Sequence, residues 1–146
     1  MIEVTASADI ARPAPEVFDY VADMANNPRW QQGQESCTWT SAGPIGVGST
    51  YDQRARFLGR EVVSSFEVVE YEPGRRIRIR TIESTMPLDI TREVEPLDAG
   101  RARVTATIRG GPAGLLRLLD PLTRRMVQRT VRSDYARLAA LLGPAG

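Results

Sequence analysis

The sequence predicts an α+β domain: a curved antiparallel sheet of seven strands laid against one long carboxy-terminal helix, with two short helices after the first strand. Three observations predict it. Apolar and polar residues alternate strictly at the amino terminus, and six further strand signals follow between residues 35 and 109, several of them alternating. A helical period governs the stretch after Pro13 and the stretch from 112 to 142. Clusters of Gly, Pro and Asp separate the strand segments by links too short for parallel crossovers, so the neighbours should run antiparallel.

Each element follows from its own residues. Ile2, Val4, Ala6, Ala8 and Ile10 share one side of the first strand, opposite Glu3, Thr5, Ser7 and Asp9. Pro13 and Pro15 open a helix in which Val17, Phe18, Val21 and Met24 recur at helical spacing, with Glu16 and Asp19 near its positive end. It should stop near Asn26, Asn27 and Pro28, and a second short helical turn should carry Trp30. Strands are predicted over 35–42, 49–58, 61–71, 75–84, 87–95 and 101–109. The last segment is amphipathic, with Leu115, Leu119, Leu122, Met126, Val131, Tyr135, Leu138 and Leu142 on one stripe; Pro121 should kink or break it.

A length of 146 residues fits one domain, residues 1–146. All nineteen basic residues are Arg; Lys and His are absent, and Cys37 is the single thiol. That excludes a Schiff-base lysine, a histidine base, Ser-His-Asp or Cys-His pairs, a histidine-ligated metal and an internal disulfide. Neither a metal nor a cofactor is expected. The first half is acidic and the second basic, and the two should pair within one fold. A net charge of +1 argues against nucleic acid as a partner. No apolar run of 18 residues exists and the start lacks the features of a signal peptide, so a cytoplasmic protein without stable membrane insertion is expected, as monomer or homodimer.

Several strings resemble one family. They are Ala14-Pro15-Glu16-Val17-Phe18 with Val21-Ala22-Asp23, then Asn27-Pro28-Arg29-Trp30, and the run from Gly43 through Gly46-Val47-Gly48 to Tyr51. Leu58-Gly59-Arg60, Glu70-Tyr71-Glu72-Pro73 and Gly100 to Thr105 complete the set. In this order they resemble the START-like (SRPBCC) superfamily, in particular its polyketide cyclase/dehydrase and lipid-transport branch. The resemblance implies a helix-grip fold and a cavity between sheet and final helix that binds a small hydrophobic molecule such as a lipid, an isoprenoid or an aromatic polyketide. The final helix and the Gly43–Gly48 loop would be its gates. It also implies an alternative, a polyketide cyclase or dehydratase in which Tyr51 and Arg92 polarise substrate carbonyls. A third option is a protein-binding role for the basic face of residues 117–137.

Candidate lining residues follow from parity and size: Trp30, Tyr51, Gln53, Phe57, Phe66, Ile79, Met86, Ile90, Arg92, Leu119 and Met126. Tyr51, Gln53, Ala55 and Phe57 share a strand face; Ile77 and Ile79 oppose Arg76, Arg78 and Arg80. Arg92 breaks the rule, because it falls on the apolar parity of Leu88, Ile90 and Val94. It either meets a ligand carboxylate or phenolate, or is held by an internal acid such as Glu61, Glu67 or Glu70, or is turned outward by a bulge. Cys37 reads as a buried apolar residue.

Overall fold

The computed structural model describes residues 2–57, 59–110 and 121–143, except the side chains of Ile2, Phe57 and Thr123. Strand β1 (Ile2–Ile10) is followed by helix α1 (Ala14–Ala22), a 3-10 turn (Met24–Asn26) and helix α2 (Asn27–Trp30). Then come β2 (Gln34–Trp39), β3 (Thr50–Phe57), β4 (Arg60–Glu72), β5 (Arg76–Glu83), β6 (Leu88–Asp98), β7 (Arg101–Gly110) and helix α3 (Pro121–Leu142). All strands form one antiparallel sheet in the order β1-β7-β6-β5-β4-β3-β2. The sheet curls, and α3 packs beside β1 and against α2.

Local chemistry sets the boundaries. Pro15 occupies the first turn of α1, where its missing N–H costs nothing, and Asp23 caps the following turn by accepting from the Ala25 N–H. β2 ends at Trp39, earlier than the alternation predicts, because Thr40 and Ser41 both donate backbone N–H groups to the Thr50 carbonyl and begin the turn. β6 runs on to Asp98, past the predicted end; a register shift between Pro96 and Asp98 absorbs the proline, which has no N–H for the ladder. Pro121 stands at the start of α3; the expected helical segment from 112 to 120, and Leu119 with it, lies outside the described residues.

The acidic and basic halves of the chain meet on the outer face of the sheet. Arg103 pairs with Asp9 at 2.8 Å, Arg109 with Glu3 at 2.9 Å, and Arg76 and Arg78 with Glu70 at 3.1 and 3.6 Å. Each exposed pair contributes only about 0.2–1 kcal/mol, so they set register more than stability. The inner face holds the core. Val17, Phe18 and Val21 are fully buried under β6 and β7, Phe18 lies 5.7 Å from the Tyr71 ring, and α1 closes that end of the sheet.

Phe18→Ala is therefore expected to cost about 3–5 kcal/mol, from lost transfer energy plus a cavity, when unfolding is followed in urea. A cost under about 1 kcal/mol would mean α1 is not part of the cooperative core.

Candidate ligand-binding cavity

A cavity of about 400 Å³ lies between the sheet and α3. That is near the lower end of the range of about 300–1,000 Å³ typical of small-molecule sites. The sheet lends it Val4, Tyr51, Gln53, Ala55, Val62, Ser64, Ile79, Leu88, Ile90, Arg92 and Ile108. From α3 come Met126, Val127, Thr130, Val131, Asp134 and Tyr135, and Met86, Gly33 and Gly110 complete the wall with others. The inward parity of every strand but β2 supplies apolar side chains, and the few polar groups are spaced among them.

Of the residues expected to line a cavity, Tyr51, Gln53, Ile79, Met86, Ile90, Arg92 and Met126 stand in this wall. Trp30 and Phe66 do not. Both are fully buried behind it, because the rings pack on one another: Trp30 is edge-on to Tyr135 at 4.8 Å, and Phe66 stacks on Tyr51 at 5.1 Å. Nothing is described of the Phe57 side chain or of Leu119. The Gly43–Gly48 loop, expected as a gate, does not reach the cavity. Gly48, with φ of 93°, donates to the Val68 carbonyl at 2.9 Å, and Val68 donates to Ser49, so the loop is stitched along β4.

Arg92 points inward with 2% of its surface exposed. The β6–β7 register is regular around it, so no bulge turns it out. Nor does an internal acid hold it. Glu61 pairs with Arg54, a register shift after Val68 sends Glu70 to Arg76 and Arg78, and Glu67 lies opposite in parity to buried Phe66 and Val68. Instead Nη1 donates to the Val21 carbonyl at 2.8 Å and Asn27 Oδ1 at 3.0 Å, with Met24 Sδ at 3.4 Å. Its guanidinium carbon sits 5.0 Å from the centre of the Trp30 ring. Among the described residues its Nε has no hydrogen-bond partner, nor has the Tyr51 hydroxyl.

Burial raises the Tyr51 and Tyr135 phenols, with the Arg92 charge opposing in both, and both stay protonated near neutral pH. Cys37 is pushed up to about 11 by burial and is an inert thiol beside Gln34, Gln53 and Asn27. Asp134, which the sequence reading missed, lines the wall at 8% exposure and accepts the Gln32 N–H at 3.1 Å. Burial raises its carboxyl above the usual range. Its signal was present: on α3 it adjoins Tyr135 and lies three residues after Val131, on the buried stripe. Among the described residues no three His, Cys, Asp or Glu side chains gather as a metal site, and no helix is long and apolar enough to cross a membrane.

A curled antiparallel sheet gripping a long helix around a mostly apolar cavity defines the START-like helix-grip class. Within it, the chain belongs to the family described as polyketide cyclase / dehydrase and lipid transport, whose profile matches residues 1–143. An uncharacterized protein of Mycobacterium tuberculosis is 31% identical over 147 residues, covering 92% of this chain and 85% of its own. The crystal structure of TTHA0849 from Thermus thermophilus is similar with a TM-score of 0.77 at 22% identity, over 97% of both chains. The Zhui aromatase/cyclase from Streptomyces sp. R1128 is similar with a TM-score of 0.76 at 17% identity, over 97% of this chain and 93% of that one. At such identities the two structures share the fold.

Two outcomes test this geometry. Tyr51→Phe removes a buried hydroxyl without a partner, so stability in urea should be unchanged or rise by about 1 kcal/mol. A loss of more than that would mean the hydroxyl has a partner. Asp134, with its folded pKa raised, favours folding most below the unfolded value of about 3.9 and loses that contribution as pH rises through the folded value. Asp134→Asn keeps an acceptor for Gln32, so its melting temperature should match wild type near pH 3 and exceed it at neutral pH; a difference independent of pH would contradict the burial of the carboxylate.

Proposed function

We propose that the protein is a container for a small, largely hydrophobic molecule, held between the curled sheet and α3. The observation that carries the reading is the cavity of about 400 Å³, walled by Val, Ile, Leu and Met side chains and a handful of polar groups. Family membership supports it, since the family's description includes lipid transport. Lipids, isoprenoids and aromatic polyketides all remain within this class of ligand. The neutral fluorescent probe N-phenyl-1-naphthylamine should bind saturably at one site per chain. Ile79→Trp, which fills the cavity from β5, should weaken it by about tenfold or more, equivalent to 1.4 kcal/mol. Unsaturable uptake, or affinity unaffected by Ile79→Trp, would remove the reading.

One observation favours a second reading, that of a polyketide cyclase or dehydratase. Asp134 supplies the proton acceptor absent from the residues singled out in the sequence, in the same wall as Tyr51 and Arg92. Arg92 and the protonated Tyr51 would polarise a carbonyl while the carboxylate takes a proton from the adjacent carbon. Loss of water from a poly-β-ketone substrate, followed by mass spectrometry and abolished in both Tyr51→Phe and Asp134→Asn, would establish it. Tight probe binding with no mass change would leave the container alone.

A further inference from the structure

Arg92 stands in the cavity wall with no carboxylate paired to it among the described residues. Its side-chain contacts are a carbonyl, an amide, a thioether, an indole and the phenol of Tyr135, all neutral. The titratable groups on which its charge acts are Tyr51, Cys37 and Tyr135, and all three are held in their neutral forms by burial. Asp134 does not serve. Its own electrostatic partner is Arg137, and its oxygen is engaged by the Gln32 N–H. Arg56, the other cation of the wall, is already paired with Glu35 at 3.0 Å. Of the two arginines in the lining, Arg92 is thus the one with no carboxylate paired to it among the described residues, in surroundings where the low dielectric magnifies its charge.

The unpartnered polar atoms have the same bias. Arg92 Nε is a donor only, and the Tyr51 hydroxyl, also without a partner, has a proton to give. The missing species is an acceptor, and next to a buried guanidinium the favoured acceptor is an anion.

We propose that the natural ligand is an amphiphile with a carboxylate-type oxyanion at one end, bound with that end toward Arg92 and Tyr51 and its apolar body along Ile79, Ile90 and α3. This rests on the container reading and adds the ligand's charge and its orientation. The Ile, Leu, Val and Met wall accepts the body of such a molecule, while the oxyanion completes the electrostatics of the floor.

The test is displacement of N-phenyl-1-naphthylamine at pH 7.5 by decanoate, methyl decanoate and decylammonium, which share a ten-carbon acyl or alkyl chain and differ in charge. Decanoate should displace the probe at a concentration about tenfold or more below that of the methyl ester, and decylammonium should be the weakest of the three. Arg92→Met should bring the ratio of acid to ester to about one. If that variant does not fold, Gln53→Glu gives a second, nearly isosteric route: it adds a carboxylate to the wall, and the ratio should fall in the same way. An ester equal to or better than the acid in wild type, or an acid preference that survives Gln53→Glu, would overturn the proposal while leaving the container intact. Absence of probe binding would overturn both.

Discussion

The buried guanidinium of Arg92 is the constraint on which the rest of the molecule depends. α1 ends at Ala22, so the Val21 carbonyl has no partner within the helix; the hydrogen bond from β6 supplies one. The same nitrogen bonds Asn27 at the start of α2, and the same cation lies over the Trp30 ring at its end. One side chain thus fastens α1, the turn after it and α2 to the middle of the sheet. Desolvating the charge costs several kcal/mol, and the charge-assisted hydrogen bonds with the contact to Trp30, together about 3–5 kcal/mol, offset much of it.

The cavity follows from how the large rings are used. Five of them form two groups: Trp30 lies against Tyr135 at 4.8 Å, and Tyr51 lies against Phe66 at 5.1 Å and Trp39 at 5.3 Å. Engaged with one another in that way, they leave parts of the wall to Ala55, Gly33, Gly110, Val62 and the unbranched Met86 and Met126, which do not fill the space between sheet and helix. Arg12 Nε donates to the Leu142 carbonyl, and Asp134 ties α3 to the backbone after α2, so the helix is held at both points away from the void. Apolar surface is then left facing an open space, which is a stable arrangement only because the surrounding clusters are themselves well packed.

Strand parity made much of this readable beforehand. Alternation placed Tyr51, Gln53, Ile77 and Ile79 inward and Arg76, Arg78 and Arg80 outward, and it singled out Arg92. What parity cannot supply is the partner of an inward charge. An internal carboxylate is one of the three alternatives the sequence leaves open, but register shifts in β4 place Glu70 on the far face, and the acceptors come from α1 and α2, 65 to 71 residues away in sequence. The same limit explains Trp30 and Phe66. Size and polarity identify buried rings, whereas only the packing of ring on ring decides whether they line a space or sit behind it. Asp134 was hidden by its neighbours on a helix dominated by arginines, where an isolated acid reads as surface charge.

The structural duties of Arg92 do not by themselves call for a charge. Capping the Val21 carbonyl and the Asn27 amide needs donors, and a neutral side chain could provide them without the desolvation cost of a cation. A positive charge kept there without an acid is more expensive than the fastening requires, unless something at the site interacts with the charge itself. Proteins that need only the anchor usually complete it with an internal carboxylate, as Arg78 does with Asp89 on the outer face of this same sheet. The contrast between those two arginines, one paired with a carboxylate on the outer face and one without a carboxylate beside the cavity, places the functional weight on the second.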